Sequence, residues 1–295
     1  MKSIFLKNAS GGRLALLTAA VIWGSSFIVM KDTVDGIPVF QLLAIRFTLA
    51  GLLLGLLFRR RLIAHWRQLI PHGALCGVLL LCAYATQTFG LMTTSPGTNA
   101  FLTAVYCVLV PFMAWALYRK PPTLCNWAAA VMCITGIGLI SLSGDLTIGA
   151  GEWLTLLSGV FYGLHIMCLS HFGGRDDPIA LTIVQFMFVA ALSWVGTLLT
   201  ESGAGMPASA IWPQLLYLTA FATAATLVLQ SVGQSLTPPS QSAILLSLES
   251  VFAVLFSVLL GKEQLTVPLF CGFTLIFLSV IVSETQLSFL RRKQV

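Results

Sequence analysis

The chain has 295 residues, of which 16 are Lys or Arg and 10 are Asp or Glu, so 9% are charged while 57% are apolar. A soluble domain usually carries about 25% charged residues, and a chain this apolar has too little polar surface to cover a water-facing core. These values exclude a soluble enzyme and point to an integral membrane protein.

Crossing ~30 Å of hydrocarbon takes roughly 20 apolar residues in helical form. Ten such stretches run along the sequence: residues 13–30, 38–58, 69–92, 98–118, 124–143, 151–170, 178–200, 211–235, 240–260 and 267–290. Between them stand turn formers, namely Pro38, Pro96-Gly97, Pro121-Pro122, Gly173-Gly174, Pro207 and Pro238-Pro239. Barrel strands would be half as long and would alternate with a period of 2, so the stretches predict helices. The first lacks a small-x-small cleavage site and runs into Lys31-Asp32, which predicts a retained helix and not a secretory signal. What remains between the stretches is too short for a soluble catalytic or nucleic-acid-binding domain.

Basic residues set the orientation. With the N-terminus in the cytoplasm, thirteen of the sixteen Lys and Arg fall on inner tails and loops, Lys31 and Lys262 fall outside, and Arg46 lies within a span. That bias predicts both termini inside. It also accounts for the net charge of +6 without any nucleic acid. Arg59, Arg60, Arg61 and Arg67, with Trp66 among them, read as a stop-transfer anchor or as a segment lying on anionic lipid headgroups.

Chemistry of the catalytic kind is missing from the pattern. There is no phosphate-cradling glycine loop, no H-E-x-x-H and no G-x-S-x-G. The seven cysteines show no C-x-x-C and no metal spacing, so they read as small apolar residues, and no cofactor or metal is expected. Asp176-Asp177, beside Arg175, reads as a solvated turn. Without a Walker motif, ATP is not the power source within this chain.

The chain is written twice. Gln87, Gly90, Thr94 and Pro96 recur as Gln230, Gly233, Thr237 and Pro239 at a shift of 143, and the same shift pairs Ala100 with Ala243 and Thr123 with Thr266. Earlier in each half, Val21-Ile22-Trp23-Gly24 matches Val160-Phe161-Tyr162-Gly163, and Pro38 matches Pro178. The two units are residues 1–146 and 147–295. Each holds five spans, and an odd number inverts the second copy. The predicted fold is therefore all-α: ten transmembrane helices as two inverted five-helix repeats. Secondary transporters have this organisation, with a substrate site near the midplane between repeats.

Polar groups inside the spans mark the candidate site, because a charge at the bilayer centre costs roughly 2.5–3.5 kcal/mol or more. Glu249 lies about ten residues into the ninth span, so its carboxylate is either protonated or paired. It reads as a substrate-amine or proton site, or as a structural hydrogen bond. Arg46 lies about 12 Å into the second span and reads as a structural charge that ties carbonyls or a carboxylate. His165 is the repeat partner of Ser26, and it reads as a satisfied imidazole or a ligand contact. Tyr84 and Gln87 share one helix face, as do Asn99, Thr103 and Tyr106. Their counterparts are Gln230, Gln234, Gln241 and Ser242. These stripes predict a wet cavity, with interhelical glue as the plainer reading. Trp23, Phe161 and Tyr162 could wall it. Gly51-x-x-x-Gly55 and Gly159-x-x-x-Gly163 read as packing steps.

At these residues the chain resembles a known family. Trp23-Gly24-Ser25-Ser26-Phe27, Pro38 and Arg46-Phe47, then Gly90-Leu91, Thr94-Ser95 and Pro111, and finally Leu248-Glu249 and Gly261-Lys262-Glu263 are similar to EamA-type carriers of the drug/metabolite transporter superfamily. The resemblance covers essentially the whole chain. It implies spans 1, 3, 4, 6, 8 and 9 around a central cavity, spans 5 and 10 at the periphery, and export of amino acids or other small metabolites. Two departures stand out. Ser250-Val251 replaces the proline that often follows the ninth-span Glu. Lys120 stands where the second repeat has Glu263, which suggests that Glu263 is an end-of-helix feature.

The reading is an inner-membrane secondary transporter, not an enzyme, that exports small metabolites such as amino acids by alternating access. Its substrate-binding candidates are Trp23, Ser26, Tyr84, Gln87, Asn99, Tyr106, His165, Gln230 and Glu249. The partners are a small-molecule substrate, membrane lipids and a coupling ion for which a proton is the candidate; the oligomeric state is open. A metabolite importer and a non-transporting scaffold or accessory subunit are the alternatives.

Overall fold

The computed structural model describes residues 9–119, 121–141, 148–173, 176–203, 205–237 and 239–287. The basic residues Lys2, Lys7, Lys120, Arg175, Arg291, Arg292 and Lys293 therefore lie outside the described residues, as do the side chains of Gln234, Gln241 and Ser242. The described chain is helical, without strands. Apolar stretches in lipid must satisfy their backbone internally, and a helix does so within one segment.

In chain order the helices are α1 (Ala9–Val34), α2 (Val39–Leu57), α3 (Arg59–Thr93), α4 (Pro96–Ala104), α5 (Tyr106–Tyr118) and α6 (Leu124–Ser141). The second half holds α7 (Ala150–Gly173), α8 (Pro178–Thr200), α9 (Trp212–Thr219), α10 (Thr226–Leu236), α11 (Pro239–Leu259) and α12 (Val267–Thr285). Eight helical stretches are long and apolar enough to cross a membrane, and two shorter apolar helices, Leu124–Ile140 and Ile244–Leu259, accompany them among the described residues.

Two expected spans are not simple rods. The fourth is interrupted at Val105 between α4 and α5. The eighth runs from a 3-10 turn (Ser209–Ile211) through α9, a π-helical turn (Ala220–Ala225) and α10. The third is longer than its apolar stretch. α3 starts at Arg59 and continues for 35 residues, about 52 Å of helix. Its basic first turns are exposed, and Arg67 lies over the Trp66 ring at 5.6 Å.

Helix starts follow from local chemistry. The Asp177 carboxylate accepts from Ile179 N and Ala180 N at 3.0 Å and caps α8, with Pro178 in the first turn. Asp176 accepts or shares a proton with His72 Nδ1 at 2.7 Å, and Arg61 reaches Asp177 at 3.4 Å. The expected solvated turn is thus a cap and an anchor for α3. Glu201 accepts from Phe40 N and Gln41 N, at 3.0 and 2.9 Å, at the start of α2. Glu263 caps α4: its carboxylate accepts from Gly97 N at 3.2 Å, from Thr98 Oγ1 at 3.3 Å and from Ser95 Oγ.

The two halves interleave. α1 packs on α10 and α11, α3 on α7 and α8, α2 on α8, α4 on α11, and α6 on α12. The repeat is visible at two crossings. A Cβ built on Gly90 of α3 would sit 2.7 Å from the Gly151 carbonyl oxygen of α7; one on Gly233 of α10 would sit 3.0 Å from that of Gly12 in α1. Gly90 and Gly233 are repeat partners, and so are Gly12 and Gly151. Only glycine on both sides lets the backbones come this close. Gly51 and Gly55, by contrast, have ordinary van der Waals room.

Candidate functional site

The polar side chains of the spans gather at the middle of the bundle, where α1, α2, α3, α4, α5, α7, α10 and α11 meet. Tyr162 of α7 stands at the hub. Its ring lies 5.7 Å from that of Tyr84 in an edge arrangement and 6.4 Å from that of Tyr106. Its hydroxyl donates to Gln87 Oε1 at 2.8 Å. Gln87 Nε2 donates to Thr103 Oγ1 at 3.0 Å, and Thr103 donates to the Asn99 carbonyl at 2.8 Å. Tyr106, Gln87, Tyr162 and Trp23 are each only half-buried, so their faces line space and do not close on each other completely.

Arg46 is almost wholly buried, at 2% exposure. Its Nε donates to Thr223 Oγ1 at 2.5 Å and one terminal nitrogen reaches the Ala222 carbonyl at 3.4 Å. The guanidinium lies over the Tyr84 ring, 4.9 Å from its centroid, a cation–π contact worth about 2 kcal/mol when desolvated. Both acceptors belong to the π-helical turn. Such a turn displaces backbone groups from regular pairing and is frequent at functional positions. Here the Ala222 carbonyl collects three further-reaching bonds: from Arg46, from Trp23 Nε1 at 2.9 Å and from Thr226 Oγ1 at 2.8 Å. Thr223 Oγ1 in turn donates to the Leu218 carbonyl, five residues back, at 2.8 Å.

Glu249 is the eleventh of the 21 residues of α11. It is 8% exposed, and no donor among the described residues hydrogen-bonds its carboxylate. Its backbone is pressed on α1 at Gly24, where a Cβ would fall 2.9 Å from the Glu249 carbonyl oxygen. Tyr84, Tyr106 and Tyr162 are all within electrostatic reach of its charge. No Arg46–Glu249 ion pair forms; the ion pairs among the described residues are Arg61–Asp177, His72–Asp176 and Lys262–Asp32. The spans therefore hold one buried charge engaged with protein groups, Arg46, and one, Glu249, without a hydrogen-bond partner among the described residues.

The remaining candidates sit differently. Ser26 is buried and donates to its own helix, at the Trp23 carbonyl, 2.7 Å away. Asn99 is fully buried and donates to Thr155 Oγ1 at 2.7 Å and Thr94 Oγ1 at 3.1 Å, bridging α4 to α7 and to the end of α3. His165 pairs with Gln185 of α8 at 2.9 Å and is not among the groups around Glu249. Gln230 is half-buried on α10. Sequence reasoning missed Thr223, Thr155 and Gln185 as partners, and it gave Tyr162 only a wall. The repeat alignment of Tyr162 with Trp23 was the signal that it occupies an equivalent central position. Away from the centre, a groove of about 470 Å³ opens between the start of α2 and the end of α8, lined by Trp194, Leu198, Met206 and Trp212 with Glu201 among them.

Comparison with known proteins agrees with this architecture. The sequence profile of the EamA-like transporter family matches residues 10–142 and again 149–285. A protein of Archaeoglobus fulgidus named "Uncharacterized transporter" is 31% identical over 96% of this chain and 91% of its own length. The Bacillus subtilis "Uncharacterized transporter YetK" is 25% identical over 95% of this chain and 88% of its own. A protein of Streptantibioticus cattleyicolor that bears the name "Probable terminal-alkyne amino-acid exporter" is 24% identical over 62% of this chain and 60% of its own. One crystal structure superposes with a TM-score of 0.69 over 97% of this chain and 99% of that one; at 18% identity the likeness is one of fold. With both halves matched and a full-length relative above 30% identity, the chain belongs to the EamA-like transporter family.

Proposed function

We propose that the protein is a secondary transporter of the inner membrane, with ten spans, both termini in the cytoplasm, that exports small metabolites such as amino acids by alternating access. The observation that carries this reading is Glu249: a carboxylate at mid-helix, buried, and without a hydrogen-bond or ion-pair partner among the described residues. An acid that only held the bundle together would be hydrogen-bonded to its neighbours, as Arg46 is to Thr223 and the Ala222 carbonyl; intramembrane ionisable groups mark substrate or ion pathways.

In this reading Glu249 meets the ammonium group of the substrate or carries the coupling proton. Half-buried aromatic faces beside a carboxylate suit a cation. Gln87, Tyr106 and Gln230 hydrogen-bond the rest of the substrate, Trp23 and Tyr162 wall it, and Arg46 holds the second span on the π turn. The relative named as an amino-acid exporter supports the substrate class.

The test compares metabolites inside and outside cells that lack the protein, overproduce it, or overproduce Glu249→Gln. One class of small metabolite should accumulate outside only with the unaltered protein. Accumulation inside would turn the reading into uptake. Glu249→Gln cells that export with unchanged rate and pH dependence would remove Glu249 from the mechanism.

A further inference from the structure

Charged groups also meet at the outer ends of the helices, and there they join the two repeats. Gly261 adopts φ +67°, the left-handed conformation that ends α11. Lys262 N then donates back to the Ser257 carbonyl at 2.8 Å, which folds the next residues over the bundle. Lys262 Nζ meets Asp32 Oδ1 of α1 at 2.6 Å. Glu263 covers the N-terminus of α4 through Ser95, Gly97 and Thr98, and a Cβ on Gly97 would collide with its carboxylate. The neighbouring Lys31 Nζ donates to the Leu91 and Met92 carbonyls at 2.7 and 2.8 Å, in the last turn of α3. Glu263 at the N-terminus of α4 and Lys31 at the C-terminus of α3 have the sign that those helix ends favour, and Asp32, in the last turn of α1, is offset by Lys262. All nine residues of α4 are buried beneath this layer.

On the inner side the repeats are joined by other contacts, Arg61–Asp177 and His72–Asp176, and the charges of the outer turn are not repeated in sequence. At the repeat shifts already used, Lys262 corresponds to Arg119, Asp32 to His171 and Glu263 to Lys120. The equivalent of the Lys262–Asp32 pair is thus two bases. The equivalent of Glu263 in sequence is a base, Lys120, which lies outside the described residues. The sequence breaks the repeat symmetry in charge at the very positions that bring α1, α4 and α11 together.

We infer that the Gly261–Glu263 turn is an outer gate latch: it holds the first repeat against the second on the outer side, so that the site rests shut to the outside while Lys262 and Glu263 are engaged. This deepens the transport reading and rests on it and on its orientation. A site that rests shut to the outside loads from the cytoplasm, which is the order that export requires. Glu263, Lys262 and Asp32 act by positioning the helices and touch no substrate.

The test reads which side of the membrane reaches the cavity. A single cysteine is placed at Gln87 in protein whose native cysteines are replaced, and cells or inside-out vesicles are exposed to a membrane-impermeant thiol reagent. With the latch intact, labelling should be slow from outside and fast from inside. Glu263→Ala should speed outside labelling roughly tenfold, the factor lost with a strong charge–terminus contact, and Asp32→Lys, which breaks a half-exposed pair, by about two- to fivefold. The reversed pair, Asp32→Lys with Lys262→Asp, should return it toward the parent rate, which a merely damaged fold would not do. Labelling from inside with no change outside in either single variant overturns the latch and leaves transport standing. Equal speed in the reversed pair and the single variant also overturns it. A cysteine at Gln87 unreactive from both sides overturns the cavity, and the latch with it.

Discussion

At the scale of residues, Arg46 and Glu249 are two full charges in the middle of helices, and their surroundings differ. Arg46 is held by Thr223, Ala222 and the face of Tyr84, yet both polar partners have other bonds, to Leu218, Trp23 and Thr226. Removing the guanidinium therefore strands nothing. At the shift that pairs Pro38 with Pro178, the position of Arg46 is taken in the second repeat by Phe186, which is fully buried. Arg46→Met should leave thermal stability in detergent within about 1 kcal/mol of the parent, while Arg46→Ala should lower it by about 2–4 kcal/mol through the cavity it leaves. A large loss with Met would mean the charge itself holds the bundle. Glu249→Gln should melt no lower than the parent, since no described donor depends on its charge, while export is lost. His165 shows the opposite economy: His165→Ala takes from buried Gln185 its partner, and Gln185 Nε2 already has none among the described residues. A loss of about 1–3 kcal/mol is expected, recovered in part by adding Gln185→Leu. The positions of these polar residues were legible because they interrupt apolar runs. Their partners were not: Gln185, Thr223 and Thr155 lie on other helices, and nothing in local sequence says which helix faces which.

Elements show the same division. Ten apolar stretches and the turn formers between them were readable from hydropathy, because lipid forces each into a helix. The interruptions were not. The Val105 break in the fourth span lies where Gly159 of α7 comes close: a Cβ there would be 3.2 Å from the Thr103 carbonyl oxygen. The π turn in the eighth carries bonds from α1 and α2. Both are decided by neighbours. Glycine spacing misled in a similar way, since Gly51-x-x-x-Gly55 looked like a contact step and has room, whereas the tight crossings use Gly90 with Gly151 and Gly12 with Gly233. Gly90→Ala and Gly233→Ala should each cost about 1–3 kcal/mol by overpacking, and Gly51→Ala should cost little. Melting temperatures of the three purified variants check this ordering. Equal losses at all three sites would mean that the close crossings are not where packing is tightest.

On the scale of the whole molecule, the inverted repeat was legible in the order of a few residues, and the two matching glycine crossings are its physical expression. Departures from the repeat were legible only as isolated substitutions. They acquire meaning when Arg46 is seen to hold the π turn where Phe186 packs against apolar neighbours. The orientation predicted from basic residues has its own check: a reporter active only in the cytoplasm should work when fused at either terminus. One active terminus and one inactive would break the even number of spans and, with it, the two five-helix units.

α3 has a mechanical consequence. It is about 52 Å long against ~30 Å of hydrocarbon, so some 20 Å of it stands beyond the hydrocarbon. Pro71 lies along this part, and a proline ordinarily invites a bend. But His72 on one side of it and Arg61 on the other are both fastened to the turn before α8, through Asp176 and Asp177. The stalk and that turn, one from each repeat, are thereby coupled into a lever. Tilting α3 by ten degrees within the membrane would swing the far end of the stalk by about 3–4 Å over its ~20 Å length. A small rearrangement at the bilayer centre is thus magnified at the end of the stalk, where a distance probe on Arg60 would record it.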